Sequence, residues 1–232
     1  MCRMYASLGP AGPPAAEVLD FRGQCTTGCG GPHGDGWGVV GFADHGQPHI
    51  LGKAPRAAAD DPAFAEAAHR APRFPLVLAH LRKASVGPKT VDLTQPFTMG
   101  RWAFAHNGTI EGGYAAKMGG GGPGVNDSRA LFLRLEARLG SEDPLAALRA
   151  SVREVRDGGF PYTSVTVLLT DGTKLWAARD VHESPDDYAL QWTRRDGRLV
   201  VAQDPVGAGP WEALPNHHLA VWGRDKVRVE PL

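Results

Sequence analysis

The sequence predicts a strand-rich α+β domain that spans all 232 residues. Short apolar runs alternate with turn signals over most of the length, which is typical of many short strands. Asp-Gly pairs at 171–172 and 196–197 separate alternating apolar runs and indicate hairpins. Hydrophobic residues make up 42% of the chain, which is enough for a sizeable core, and 30 glycines and 19 prolines fit a fold with many turns.

Strands are predicted wherever an apolar run ends at a turn signal. They are expected at a segment that begins at Cys2 and at residues 36–42, 48–52, 76–80, 101–105, 165–169, 174–178, 189–193 and 199–202, with a last pair around 223–225. Residues 11–16 are expected to be a loop. The total is about ten strands.

Two or three helices are predicted, at residues 61–71, 128–139 and 144–156. Asp60 or Asp61 can cap the first helix, and Pro62 suits its first turn. The second helix has leucines at helical spacing, with Asp127 able to cap its start and Gly140 able to end it.

Charge and cysteine content limit the function classes. Lys+Arg and Asp+Glu are both 25, so gross electrostatics favour neither a nucleic-acid nor a membrane partner. No apolar stretch has the length of a signal peptide or a membrane span, and a cytoplasmic protein is expected. Three cysteines at compressed spacing do not form a disulfide framework.

Cys2 directly follows the initiator methionine. Removal of Met1 would leave a thiol and a free α-amine on one residue. Their ordinary pKa values, about 8.5 and about 7.7–8.0, make proton exchange between them nearly isoenergetic. The alternative is that Cys2 is a buried apolar residue of the first strand.

Six motifs follow in order: Cys2-Arg3, Gly-Pro-His-Gly-Asp-Gly-Trp-Gly at 31–38, His-Leu-Arg-Lys-Ala-Ser at 80–85, Gln-Pro-Phe-Thr at 95–98, Trp-Ala-Phe-Ala-His-Asn-Gly at 102–108 and Asn-Asp-Ser-Arg at 126–129. This ordered set resembles the class II glutamine amidotransferases, which are N-terminal-nucleophile hydrolases. It is most similar to their stand-alone branch, the YafJ-type proteins and the γ-glutamyl hydrolases of ergothioneine synthesis. The resemblance implies a four-layer α/β/β/α sandwich of two stacked, mainly antiparallel sheets.

The resemblance implies a catalytic set of three residues. The Cys2 thiolate would attack a γ-carboxamide carbon, and its α-amine would take the thiol proton and pass it to the departing ammonia. The Asn107 side-chain amide and the Gly108 backbone N–H would form an oxyanion hole. The alternative for Asn107-Gly108 is an ordinary turn.

A clamp for a zwitterionic substrate is also implied. Arg82 would bind the α-carboxylate through its planar fork, and Asp127 would bind the α-ammonium. Ser85 and His106 complete the predicted substrate-binding set. The alternatives are a surface arginine with an acidic neighbour for Arg82 and a helix N-cap for Asp127, unless cap and clamp fall to neighbouring residues.

The chain departs from the family pattern at two places. Gln95 stands where the family usually has histidine, and residues 202–205 (Ala-Gln-Asp-Pro) stand where relatives more often carry a Ser-Glu-Pro type of sequence. Neither is expected to touch the nucleophile or the oxyanion donors. The glycines of 35–38 are expected to let a strand approach Cys2 closely.

Each of two further segments allows either a functional or a purely structural interpretation. Cys25, Cys29 and His33 recur every four residues, but the segment is too glycine-rich for one helix face and lacks an obvious fourth ligand. No metal or cofactor is therefore expected. The segment 118–124 is either a floppy loop or a mobile flap over a site.

The predicted function is an amidohydrolase that cleaves the γ-amide of glutamine or of a γ-glutamyl compound through a Cys2 thioester. One alternative is a glutaminase subunit that delivers ammonia to a separate synthase. Another is a catalytically silent glutamine-binding module. The expected partner is a small-molecule substrate, and an ammonia-accepting synthase or a homo-oligomer stays open.

Overall fold

The computed structural model describes residues 1–27, 33–43, 46–118, 125–224 and 226–232, without the side chains of 25–27. In these segments the strands are β1 (Arg3–Leu8), β2 (Gly36–Phe42), β3 (His49–Ala54), β4 (Leu76–Arg82), β5 (Phe97–Met99), β6 (Trp102–Asn107), β7 (Ser164–Thr170), β8 (Leu175–Val181), β9 (Gln191–Arg195), β10 (Arg198–Ala202), β11 (Glu212–Ala213), β12 (His218–Trp222) and β13 (Val227–Pro231). The α-helices are α1 (Ala15–Thr27), α2 (Pro62–Arg70), α3 (Tyr114–Met118), α4 (Asp127–Leu139) and α5 (Pro144–Asp157).

The strands form two sheets. One has the order β11-β9-β10-β1-β4-β2-β3, and the other has the order β13-β12-β8-β7-β6-β5. Among the described residues, every pairing of named strands is antiparallel, as between β1 and both of its neighbours. The N-terminal strand is therefore central in its sheet, and β6 lies one strand from the edge of the other.

Alternation along the strands builds four layers. Met4 and Ala6 of β1 point between the two sheets, where they meet Ala103 and Ala105 of β6. Tyr5 points the other way, into a core that it shares with α1 and α2. The outer face of the second sheet packs on α4 and α5. The predicted α/β/β/α sandwich of two stacked antiparallel sheets is confirmed.

The helix starts follow local capping chemistry, with one correction. Asp61 caps α2 by accepting from the Ala63 backbone N–H, as predicted. The cap of α4 is Asn126, whose side chain accepts from the Arg129 backbone N–H, so the prediction that Asp127 caps this helix is wrong. Asp127 is the first residue of the helix, after the cap, so its carboxylate is not used for capping and can make other contacts.

Helix α1 was not predicted, and part of the predicted loop 11–16 belongs to it. The helix starts just after two prolines and contains Gly23, so its local signals are weak. It forms because Val18 and Phe21 are fully buried against the first sheet. The short helix α3 was also not expected.

Some expectations fall outside the described residues. They are the flap hypothesis for 118–124, most of which is not described, and the zinc hypothesis that includes Cys29. Within the described segments, no helix is both long and apolar enough to cross a membrane.

Candidate active site

Cys2 and Asn107 meet in the space between the two sheets, where β1 begins and β6 ends. The Cys2 backbone nitrogen donates to Asn107 Oδ1 at 2.7 Å, and Asn107 Nδ2 donates back to the Cys2 carbonyl oxygen at 3.0 Å. Both residues are buried, at 8% and 0% exposure. The sequence separation is 105 residues, so the pairing depends on how the sheets stack.

A cleft opens above this pair. Its walls come from the chain start, the ends of β4 and β6, the start of α4 and one turn after β8. The lining residues are Met1, Cys2, Arg82, Lys83, Ala84, Ser85, Val86, Gln95, Asn107, Gly108, Thr109, Asn126, Asp127, Ser128 and Tyr188. The structure therefore brings six of the seven predicted site residues to one cleft, and only His106 lies behind its wall.

The Cys2 thiol sits in a buried and electropositive corner. Its Sγ lies 3.6 Å from the Lys83 carbonyl oxygen, which can accept from the thiol. Burial raises the pKa of this thiol, and the positive charges of the chain terminus and of Arg82 oppose that effect. Burial lowers the pKa of the terminal ammonium, which here belongs to Met1. Both effects favour a neutral thiol beside a neutral amine.

Gly108 has a backbone conformation that only glycine adopts comfortably. Its φ is +151°, and a Cβ atom at this position would lie 1.8 Å from the Ser164 carbonyl oxygen. The backbone at Gly108 therefore packs directly on Ser164, and residues 107–109 line the cleft.

Arg82 is buried at the end of β4, with 3% exposure. Its two terminal nitrogens donate to the carbonyl oxygens of Pro88 and Val86, at 3.0 and 3.3 Å. Burial lowers the pKa of its guanidinium, whereas the charges of Cys2, Asp35 and Asp127 oppose this effect. Arg82 is thus not a surface arginine, and two of its five N–H groups hold the following loop.

Asp127 is also buried, with 3% exposure. One carboxylate oxygen accepts from the Ile110 backbone N–H at 2.9 Å, which ties α4 to the segment that follows Gly108. Asn126 takes the cap, and the other carboxylate oxygen of Asp127 has no hydrogen-bond partner among the residues that the structure describes.

Ser85 and His106 differ in their placement. Ser85 Oγ lies on the rim, 2.7 Å from the Thr109 hydroxyl, and bridges the Arg82 loop to the corner after Gly108. His106 lies behind the wall, with Nδ1 2.8 Å from Ser128 Oγ and Nε2 3.2 Å from the Ser164 carbonyl oxygen. Its ring supports the wall and does not reach the cleft.

Gln203 and Asp204 follow β10, and Gln203 contacts Asn107, so the expectation that residues 202–205 touch neither the nucleophile nor the oxyanion donors is wrong. Gln203 Oε1 accepts from Asn107 Nδ2 at 3.1 Å. Asp204 accepts from Arg3 Nε at 2.5 Å, and Arg3 Nη1 donates to the Cys2 carbonyl oxygen at 2.9 Å. Only the unusual residue type at 203 could have indicated this contact from the sequence.

The glycines near the start of β2 have a different neighbour from the one expected. Strand β4 lies between β2 and β1, so β2 does not approach Cys2. A Cβ atom at Gly38 would instead lie 2.4 Å from the Gln95 carbonyl oxygen. The Gln95 side chain bonds both the N–H and the C=O of His106, at 2.6 and 3.2 Å, and so supports the strand that carries Asn107.

Tyr188 is a lining residue that the sequence did not indicate. Its hydroxyl donates to Thr163 Oγ1 at 3.1 Å, and the same oxygen accepts from the Thr109 backbone N–H at 3.1 Å. Its ring therefore forms a fixed wall next to the Gly108 corner.

Comparison with known proteins identifies the architecture. The chain matches the class II glutamine amidotransferase family over residues 1–197. The chain belongs to this family. The predicted resemblance and enzyme class are confirmed, and the cleft lies where the ordered motifs of this class II glutamine amidotransferase converge.

Curated relatives extend the match over the chain. A γ-glutamyl-hercynylcysteine sulfoxide hydrolase of Mycolicibacterium smegmatis is 30% identical over 246 residues, covering 100% of both chains. The Escherichia coli protein YafJ, which carries the name of a glutamine amidotransferase, is 30% identical over 248 residues, covering 92% of this chain and 94% of its own.

Solved structures share the fold. A glutamine aminotransferase class-II domain protein from Silicibacter pomeroyi superposes with a TM-score of 0.71 at 20% identity, covering 99% of both chains. The glutamine phosphoribosylpyrophosphate amidotransferase of Bacillus subtilis gives 0.69 at 17% identity, covering 99% of this chain and 49% of the other.

Proposed function

We propose that this class II glutamine amidotransferase hydrolyses the γ-amide of glutamine or of a γ-glutamyl compound, with Cys2 as its N-terminal nucleophile once Met1 is removed. The observation that carries the proposal is the position of the Cys2 nitrogen and sulfur at the floor of the cleft, beside Asn107 and Gly108.

Removal of Met1 would both create the base and clear the cleft. Met1 lines the cleft, so its loss frees space directly above the thiol. The new amine would occupy the position of the present peptide nitrogen, 2.7 Å from Asn107 Oδ1. A buried amine next to a buried thiol can take its proton without creating an isolated charge.

The reaction then proceeds in two displacement steps. The sulfur bonds to the γ-carbonyl carbon, the thiol proton moves to the amine, and the C–N bond breaks as that proton passes to the leaving amine. Water attacks the resulting thioester, and the γ-carboxylate leaves with the thiol restored. The Gly108 N–H and one N–H of Asn107 would stabilise the oxyanion, and the Asn107 hydrogen would be the one that now donates to the Cys2 carbonyl oxygen, while the other stays on Gln203 Oε1.

The α-carbon end of the substrate would be held by Arg82 and Asp127. Both are buried and line the cleft, and their charges influence each other. A cation and an anion held by protein contacts suit the α-carboxylate and α-ammonium of a glutamyl group. Ser85 and Tyr188 would line the remaining wall.

The identity of the leaving group separates a hydrolase of larger γ-glutamyl compounds from a glutaminase that supplies ammonia. The relative from M. smegmatis is named for a γ-glutamyl substrate with a large leaving group, which favours γ-glutamyl compounds larger than glutamine. A role as an ammonia-supplying subunit is favoured by the B. subtilis amidotransferase, because this chain corresponds to about half of that one. Stimulation of the purified protein by a copurifying synthase would support the second role.

The test uses the protein with Met1 removal verified by intact mass. Release of amine from glutamine and from γ-glutamyl anilide is expected for the wild type, and Cys2→Ala should lower the rate by roughly a thousandfold or more while the thermal transition stays in place. Cys25→Ala, which removes a different thiol of the chain, is the matched control.

Retention of Met1 in the purified protein, or wild-type rates in the folded Cys2→Ala variant, would contradict the proposal. Retained Met1 together with binding of glutamine would instead indicate a silent binding module.

A further inference from the structure

We propose that Gln203 is a positioning residue that orients the Asn107 amide and so keeps the lone pair of the Cys2 α-amine available as the base. The inference rests on the proposed function, because it assigns the amine that role. The contacts of Asn107 carry it.

The Asn107 amide has an acceptor side and a donor side. On the acceptor side, Oδ1 receives the hydrogen of the Cys2 nitrogen at 2.7 Å. On the donor side, the two hydrogens of Nδ2 go to the Cys2 carbonyl oxygen at 3.0 Å and to Gln203 Oε1 at 3.1 Å. All three partners constrain the same rotamer.

Removal of Met1 weakens one of these constraints. The peptide nitrogen of Cys2 can only donate, so it requires Oδ1 opposite. An α-amine can donate or accept, so it tolerates either orientation of the amide. If the amide flipped, Nδ2 would donate into the amine lone pair, and the amine could no longer take the thiol proton.

The donor side then decides the orientation. A flip of the Asn107 amide would place Oδ1 against the Cys2 carbonyl oxygen and Gln203 Oε1, neither of which carries a hydrogen, and to relieve the second contact the buried Gln203 amide would have to reverse as well. Gln203 is 2% exposed, so water does not readily replace it. Its backbone N–H donates to the Met4 carbonyl oxygen at 3.2 Å, which fixes it beside the first strand.

Gln203 makes few other side-chain contacts. Its Nε2 is buried and has no hydrogen-bond partner among the described residues. The side chain is therefore held at the cost of one unpaired donor, and its acceptor is directed at Asn107.

Several titratable and charged groups act on the amine or on the adjacent thiol and stay constant in the test. They are the Cys2 thiol, Arg3 on β1, Arg82 and Lys83 at the end of β4, Asp127 on α4, Asp187 in the turn before Tyr188, and His33 before β2. Any change in pH dependence caused by a neutral substitution at position 203 therefore reports the Asn107 contact.

The experiment compares Gln203→Met, which removes the acceptor at similar length, with Gln203→Glu, which keeps it. Gln191→Met is the matched control, since the Gln191 side chain donates to the backbone oxygen of Gln203, at 3.4 Å, and not to its amide. The pH profile of kcat on a γ-glutamyl anilide is measured with KM. The rate of Cys2 alkylation by iodoacetamide is followed by intact mass over the same pH range.

Gln203→Met is expected to lower the kcat plateau about tenfold, as the loss of one neutral hydrogen bond allows, with little change in KM. The acidic limb of the pH profile should move to lower pH. Without the Gln203 contact, Asn107 Oδ1 accepts less reliably from the protonated Cys2 amine, so the pKa of that amine falls. Gln203→Glu should regain most of the plateau and move the limb to higher pH through its negative charge. The alkylation profiles should move in the same directions.

The inference is overturned if Gln203→Met keeps the wild-type kcat plateau and the wild-type acidic limb of the pH profile. It is also overturned if the plateau falls while the acidic limb stays in place, because that result indicates only a less well packed site. If that variant does not fold, an unmoved limb in Gln203→Glu overturns it. Absence of wild-type turnover would instead count against the proposed function, while the alkylation profiles would still test Gln203.

Discussion

At the residue scale, Gly108 shows how one missing Cβ shapes the cleft. The corner after Asn107 presses its backbone against the Ser164 carbonyl oxygen of β7. Any side chain at this position must push the two strands apart, which would displace Asn107 from Cys2.

Gly108→Ala is therefore expected to destabilise the fold by about 3 kcal/mol or more, through overpacking and a strained φ. Gly100→Ala is the control, because Gly100 has a φ of +52° and no atom lies within 4 Å of the point that its Cβ would occupy. It should cost only about 1–2 kcal/mol. Urea unfolding at neutral pH measures both, and equal losses would show that the Ser164 contact does not matter.

At the element scale, the start of α4 divides two tasks between adjacent residues. Asn126 caps the helix, and Asp127 directs its carboxylate towards the cleft and the Ile110 backbone. Stability and substrate affinity should therefore respond to different substitutions.

Asp127→Asn should raise KM for a γ-glutamyl substrate about tenfold or more, because a charge-assisted contact to the α-ammonium is lost. Its melting temperature should change little, since Asn126 keeps the cap. Asp143→Ala, which removes the cap of α5 far from the cleft, should cost about 1 kcal/mol of stability and leave KM unchanged. A large stability loss in Asp127→Asn would contradict this division.

Elements with strong local signals were predictable from the sequence. Strand β2 occupies the predicted residues, and α2 begins at one of the two predicted caps. Helix α1 was not predictable, because its burial of Val18 and Phe21 is a tertiary effect. The residues of the cleft wall near Cys2 were predicted from the order of the motifs and the family resemblance, because no local sequence rule places Asn107 opposite Cys2.

Contacts between distant segments were the least predictable part of the site. Gln203 and Asn107 are 96 residues apart, and they meet because β10 pairs with β1 and the sheet that contains both strands stacks on the sheet of β6. His106 belongs to a conspicuous motif, yet strand alternation turns its ring to the helix side, away from the cleft. The alternation along a strand shows which side chains share a face. Which of the two faces lines the cleft is known only once the neighbouring strands and helices are known.

At the scale of the whole molecule, buried histidines connect stability to pH. His33, His80 and His106 are each at most 1% exposed, and burial lowers the pKa of all three, that of His33 to about 4. The unfolded chain binds protons below about pH 6.5, whereas folded His33 resists protonation until about pH 4. Stability must therefore fall as the pH drops through this window.

His33→Asn should flatten this dependence and remove about 1–2 kcal/mol of the stability change between pH 7 and pH 5. His69→Asn, at an exposed position on α2, should keep the wild-type slope. Urea unfolding at both pH values provides the comparison, and identical slopes for the two variants would rule out His33 as a contributor.

The N-terminus lies inside the cleft, and this has a practical consequence for production of the protein. On the proposed mechanism, an affinity tag or fusion ahead of Cys2 would block aminopeptidase trimming and obstruct the pocket, so such material would be inactive in the assay. The last strand, β13, lies on the far edge of its sheet, separated from β6 by three strands. A purification handle appended after Leu232 would keep the first residue native and the assay interpretable.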